Sequence, residues 1–161
     1  MANTILVDQQ ATREERYRQL LPQLEALLAG ETNLIANLAN MAAAIKEAMG
    51  FFWVGFYLPA GDQLVLGPFQ GSVACPRLPL GQGVCSRAYL DKKTVIVPDV
   101  DAFPGHIACS SASRSEIVVP GINRQGEVLF VLDIDSDKPD DFTYTDAKYL
   151  EKIVALLTAT S

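Results

Sequence analysis

Imidazole, indole and thiol are scarce in this chain. Its 161 residues hold one histidine (His106), one tryptophan (Trp53) and three cysteines (Cys75, Cys85 and Cys109). No two cysteines stand in C-x-x-C spacing, and one imidazole does not complete a usual zinc set with them, so no metal is expected. An odd number leaves one thiol outside any intramolecular pair. Also missing is an apolar run approaching the ~20 residues of a membrane span. The opening "MANTILVDQQATREE" has neither the basic nor the apolar stretch of a secretory signal. The expected setting is therefore a reducing cytosol, away from membranes. There, cysteines serve catalysis, redox exchange or packing rather than a static disulfide framework. Positive charge is short as well: 13 Lys and Arg against 19 Asp and Glu leave a net charge of −6. An acidic protein gains nothing from counterion release on a phosphate backbone, so nucleic acid is not an expected partner. No repeat or low-complexity tract is present.

What is there reads as a globular domain, with 49% hydrophobic and 20% charged residues over a length that suits one domain, 1–161. Thr12-Arg13-Glu14-Glu15 has a capping-box pattern, and Tyr17, Leu20, Leu21, Leu24, Leu27 and Leu28 follow at helical spacing. Pro22 inside this run predicts a kink or a late start, and Gly30 a stop. Thr32 is the expected cap of a second helix, whose stripe from Leu34 to Met49 ends at Gly50. The period then changes. Residues 51–58 and 63–73 read as a hairpin around the turn 59–62. Residues 75–83 read as a Pro/Gly loop, 84–93 as a short helix and 94–100 as a strand. A long loop, 101–115, comes next, and loops of that length are usually functional. Residues 116–122 and 127–135 form a second expected hairpin, turned by "NRQG" (123–126). Thr143-x-x-Asp146 resembles a capping box for a last helix carrying Ala147, Leu150, Ile153, Val154 and Leu157. The expected fold is α+β: a central antiparallel sheet of about five or six strands. Terminal helices pack on one face, and the loops 75–83 and 101–115 lie over the other.

Several residues stand out for chemistry, each with an ordinary alternative. Asp133 and Asp135 share one side of a strand. They mark either the strand's emergence into solvent or, with Glu116 from the adjacent strand, the acidic mouth of a pocket suited to a cation such as an α-ammonium. Trp53 and Tyr57 also share a face, as core aromatics or as the apolar wall of a ligand site. His106 and Cys109, three apart in "HIACSSASRSE" (106–116), have the composition of a base and nucleophile pair. That spacing brings them together only in a helical turn, and a histidine bonding its own loop is as good a reading.

Longer stretches carry more. "GPFQGSVACPRLPLGQGVC" (67–85), "VPDVDAFPGHIACSSASRSEIVVP" (97–120) and "VLDIDS" (131–136) resemble the free methionine-(R)-sulfoxide reductases, within the broader GAF-domain fold. The likeness runs from about Trp53 to Phe142 and includes all three family cysteines in order. Asp101 stands where many members have histidine, and Gln82 where many have lysine. The resemblance implies a cytosolic enzyme that reduces the R epimer of free methionine sulfoxide, takes electrons from thioredoxin, and needs no metal, flavin or nucleotide. The competing reading is a non-catalytic GAF module that senses a small ligand. The lack of an output domain and the three thiols near the expected pocket count against it.

On the enzymatic reading, Cys109 is the expected nucleophile, because it shares its loop with the acid and with a serine-rich anion cradle. Glu116 is the expected proton donor, a role Asp133 or Asp135 could share. The acids would hold the substrate ammonium, Ser110, Ser113 or Ser115 its carboxylate, and Trp53 and Tyr57 its apolar part. The resolving thiol comes from Cys75 or Cys85. Cys75, in a mobile Pro/Gly loop, is the better placed, and a Cys75–Cys109 disulfide is expected with Cys85 in support. His106 is assigned a structural role. The amphipathic terminal helices leave room for a homodimer.

Overall fold

The computed structural model describes residues 4–159, so the outermost residues of the expected 1–161 domain lie outside the described ones. Two helices open the chain, α1 (Arg13–Leu28) and α2 (Leu34–Met49). They are followed by strands β1 (Trp53–Ala60), β2 (Gln63–Gln70) and β3 (Arg77–Pro79). Helix α3 (Val84–Asp91), strands β4 (Val95–Val97), β5 (Ser115–Ile122) and β6 (Val128–Ser136) and helix α4 (Tyr144–Thr158) complete it. The six strands form one antiparallel sheet in the order β3-β2-β1-β6-β5-β4. The four long strands are neighbours in its middle. The three-residue strands β3 and β4 are its two edges, and edges that short offer little template for pairing with another chain.

Period two decides what each face of the sheet does. Val54 and Phe56, Ile117 and Val119, and Phe130, Leu132 and Ile134 point one way, into a core shared with Tyr17, Leu20 and Leu24 of α1, Leu38, Met41 and Ile45 of α2, and Leu150 and Ile153 of α4. The alternate positions, Trp53 and Tyr57, Val118 and Val131, point to the other face, where α3 and the long loops pack. Fully burying one large aliphatic side chain is worth roughly 1.5–3 kcal/mol. The helix-side core is the larger of the two clusters, and the opposite face keeps a smaller apolar cluster beside its polar groups.

The helix ends follow mostly from local chemistry. Thr12 Oγ1 accepts from Glu15 N at 3.2 Å, and α1 then runs through Pro22 without a late start. Burial of Tyr17, Leu20 and Leu24 on either side of the proline holds the helix together despite the missing amide. Asn33, not Thr32, caps α2, its Oδ1 accepting from Ala36 N at 3.0 Å; Thr32 stands one residue too early to reach the first turn. Thr143 and Asp146 form the capping box of α4. Asp146 also accepts from Tyr17 Oη at 2.6 Å and lies 3.3 Å from Arg13 Nη1, so the cap ties α4 to α1.

Several boundaries differ from the sequence reading: β1 runs on to Ala60, into the expected turn, β2 stops at Gln70 and β4 keeps only Val95–Val97. Strand β3 lies inside the stretch expected to be a loop, pairing Val65 with Arg77 and Gln63 with Pro79. An edge position tolerates the proline, which has no amide to give. Strand β5 starts at Ser115 rather than Glu116. From β3 to β4 the chain crosses from one edge of the sheet to the other, through α3, over the face the terminal helices leave free.

Candidate active site

On that free face the strand register assembles an acidic floor. Asp135 on β6 sits opposite Glu116 on β5 and Trp53 on β1. Asp133 sits opposite Val118 and Gly55. One cavity opens above these residues. Trp53, Tyr57, Glu116, Asp133 and Asp135 line it from the sheet, Cys85 from α3, and His106, Cys109, Ser110 and Ser113 from the loop before β5. Residues from four separate stretches of sequence thus share one space.

Trp53 is fixed in the wall from all sides. A Cβ at Gly55 or at Gly71 would overlap its indole. Gly71 has φ +138°, a backbone region where side chains are strained in any case. Phe69 stacks on the indole with centroids 5.3 Å apart, and Nε1 donates to Ser72 O at 2.9 Å. Tyr57 is 2% exposed, and its hydroxyl donates to the backbone carbonyl of Cys75 at 2.9 Å. Gly55, Phe69 and Gly71 are contributors that sequence reasoning missed. Gly55 was legible in retrospect, since it lies between Trp53 and Tyr57 on the same parity.

Cys75 and Cys109 are joined by a disulfide with Cα atoms 5.4 Å apart, 34 residues apart in sequence. This is the pair the sequence reading expected. Cys85 is unpaired and buried at the start of α3. Burial and the charges of Asp133, Glu116 and Asp135 push its thiol well above the ordinary range, so it remains protonated. The N-terminus of α3 does not overcome that desolvation.

The three carboxyls are held toward their neutral forms. Glu116, 5% exposed, is raised from 4.5 to about 8, chiefly by burial and then by the charge of Asp135. Asp133 is pushed well above the ordinary range by burial and then by Glu116, and Asp135 by burial and then by Asp133. Near neutral pH, Glu116 thus holds a proton it can give. Asp133 Oδ1 and Ser113 Oγ are buried with no hydrogen-bond partner, and such unmet groups cost roughly 1–3 kcal/mol each unless something fills the site. Cys85 Sγ and one carboxylate oxygen each of Glu116 and Asp133 lie within 4.8 Å of one another, so a single cationic group could face all three.

One sequence expectation meets a different geometry. Ser115 does not line the cavity. It precedes Glu116 by one position and therefore points to the opposite face, where its hydroxyl donates to Lys138 O at 2.6 Å and accepts from Asp141 N at 3.3 Å. His106, assigned a structural role, lines the cavity with Nε2 3.6 Å from Glu116 Oε1.

Comparison with known proteins bears on this arrangement. Residues 25–160 match the GAF domain family model. A GAF domain-containing protein A of Dictyostelium discoideum is 58% identical over 91% of this chain and 92% of its own length. The free methionine-R-sulfoxide reductase of Escherichia coli is 45% identical over 90% of this chain and 88% of its own. The free methionine-R-sulfoxide reductase of Neisseria meningitidis, solved in complex with its substrate, superimposes with a TM-score of 0.91 at 50% identity, covering 97% of this chain and 95% of that one. The chain belongs to the GAF-domain free methionine-R-sulfoxide reductases. Of this reductase's two departures from the family pattern, Asp101 lies exposed in a short 3-10 turn, whereas Gln82 lines the cavity. The cation many members would place at that wall is here a neutral amide.

Proposed function

We propose that this protein reduces free L-methionine-(R)-sulfoxide to methionine, as a single catalytic domain working in the cytoplasm with thioredoxin as electron donor. One observation carries the reading: Cys109, a half-cystine, opens on the same cavity as Glu116, a buried carboxyl that keeps its proton near neutrality. A thiolate and a proton donor around one small space are what sulfoxide reduction requires.

The reduced Cys109 thiolate attacks the sulfoxide sulfur while Glu116 transfers its proton to the oxygen. The attack bonds the Cys109 sulfur to the substrate sulfur. The protonated oxygen then passes to the Cys109 sulfur as the substrate S–O bond and the new S–S bond break. The electron pair stays on the substrate sulfur as methionine departs, and Cys109 is left as a sulfenic acid. The substrate's ammonium supplies the positive charge the floor lacks. It lets an aspartate ionise, and Asp133 Oδ1 gains the donor it has no access to otherwise. Ser113 and Ser110, with backbone amides of their loop, face the carboxylate. The methyl sulfoxide end lies against Trp53 and Tyr57. Cys75 then displaces the sulfenic oxygen as water, forming the disulfide, and a dithiol protein reopens it by exchange. The protonated, buried Cys85 supports the site as a neutral group; a thiol in that state is a poor nucleophile.

The test is turnover with thioredoxin, thioredoxin reductase and NADPH on the separate epimers of free methionine sulfoxide. NADPH consumption on the R epimer, with little on the S epimer, is the expected result. Binding of the R epimer without turnover would leave a ligand-sensing GAF module instead.

A further inference from the structure

The loop that carries Cys75 joins β2 to β3 and is held to the sheet through its carbonyl groups. Pro76 O accepts from Leu66 N at 3.0 Å, in backbone contact with β2. Ser72 O accepts from Trp53 Nε1 and Cys75 O from Tyr57 Oη, each at 2.9 Å. Two of these three donors are therefore the polar tips of the aromatic wall. Nothing in the wall's apolar work requires a hydroxyl at position 57, since phenylalanine would present the same ring face to a methyl group. Burial, with the nearby charge of Asp133, also keeps the Tyr57 phenol protonated, so it remains a donor throughout.

We infer that Tyr57 is a positioning residue for recycling, its hydroxyl fixing the backbone of Cys75 so that the thiol reaches the sulfenic sulfur of Cys109. The inference rests on the reading above and assigns a place in its second step. In that step the Cys75 sulfur bonds to the Cys109 sulfur. The S–O bond breaks, and the oxygen leaves as water with the proton given up by the Cys75 thiol. An intramolecular attack of this kind depends on how often the two sulfurs meet. Freeing the Cys75 carbonyl widens the loop's ensemble and lowers that frequency. Trp53, bonding Ser72 three residues earlier, acts on the same loop in the same sense. The wall that receives the substrate thus also holds the group that restores the enzyme.

The test compares wild type with Tyr57→Phe in single turnover. Reduced enzyme is mixed with free methionine-(R)-sulfoxide without reductant, and two rate constants are read: methionine release, and appearance of the Cys75–Cys109 peptide after acid quench. The disulfide rate constant should fall roughly ten-fold further than the methionine rate constant, the scale set by one lost hydrogen bond. Cys109 sulfenic acid should accumulate and be trapped by dimedone. In a Cys75→Ser background, Tyr57→Phe should no longer alter the sulfenic acid's lifetime. Trp53→Phe, which removes the Ser72 bond and keeps an aromatic ring, should show the same split and carries the test if Tyr57→Phe fails to fold. Equal fall of both rate constants, or no fall in either, overturns the inference. A wild type that releases no methionine, or forms no Cys75–Cys109 link, would instead sink the reading on which it rests.

Discussion

Replacing Glu116 by glutamine should make the protein more stable and less active at once. In the folded state the carboxyl is raised to about 8 from 4.5. Its contribution to stability is then fully present below about pH 4.5 and is lost as pH rises through 8, because ionising it on the buried floor is opposed by desolvation and by Asp135. Each tenfold change in proton affinity is worth about 1.4 kcal/mol, so between pH 5 and 8 wild type loses at most roughly 4 kcal/mol through this group. Asp133 and Asp135 titrate with it and share the strain, so roughly 2 kcal/mol is the expected difference. Glutamine fills the same volume, can still bond the neighbouring carboxyls and never ionises. Urea unfolding of the oxidised proteins at pH 5, 6, 7 and 8 reads the effect. Glu116→Gln and wild type should be close at pH 5 and separate steadily, the variant ahead by about 2 kcal/mol at pH 8. Activity should fall roughly 10²–10⁴-fold, as for loss of a general acid. A stability difference constant to within about 0.5 kcal/mol across that range would refute the argument, since it would mean that Glu116 is not held neutral by its surroundings.

Other expectations follow from the same site. Cys109→Ser should form no methionine even in a single turnover, whereas Cys75→Ser should release about one equivalent and stop; a methionine burst from Cys109→Ser would move the nucleophile to Cys85. Gly55→Ala should displace the Trp53 indole from the wall, raising KM for the sulfoxide several-fold and quenching or shifting the emission of the chain's one tryptophan; an unchanged KM and spectrum would show that the wall can give. N-acetylated, C-amidated methionine sulfoxide should be turned over poorly, because it leaves Asp133 without an ammonium, at roughly 1–3 kcal/mol; equal turnover would dismiss the acidic floor as a recognition element.

The division of the sheet into two faces was legible because alternation is a strong local signal. Val54, Phe56, Leu132 and Ile134 stand on one parity, with Trp53, Tyr57, Asp133 and Asp135 on the other. The capping box of α4 was equally plain. Strand β3 was not, since three residues ending in Pro79 have no alternation to read and exist only because β2 offers them an edge. Ser115 was misplaced for a related reason. It looks like one more serine of the loop, yet it is already the first residue of β5, and one step of parity carries its hydroxyl to the far side. The contact between His106 and Glu116 joins a loop to a strand ten residues away, and no spacing rule announces it. The expectation that the two loop cysteines pair came from family resemblance and loop chemistry. The overlap that forces glycine at 71 belongs wholly to three-dimensional packing.

The disulfide closes a loop that takes in both edge strands and the whole crossover between them. Cross-linking a loop of 34 residues removes unfolded-state entropy equivalent to roughly 3.8 kcal/mol in the chain-entropy model. Every catalytic cycle would then alternate between a slack molecule, ready for substrate, and a taut one awaiting its reductant. When electrons run short, the population collects in the taut form. Starvation for reductant would thereby protect the enzyme against proteolysis at the moment it cannot work, and a pool of resistant protein would be waiting when reducing power returns.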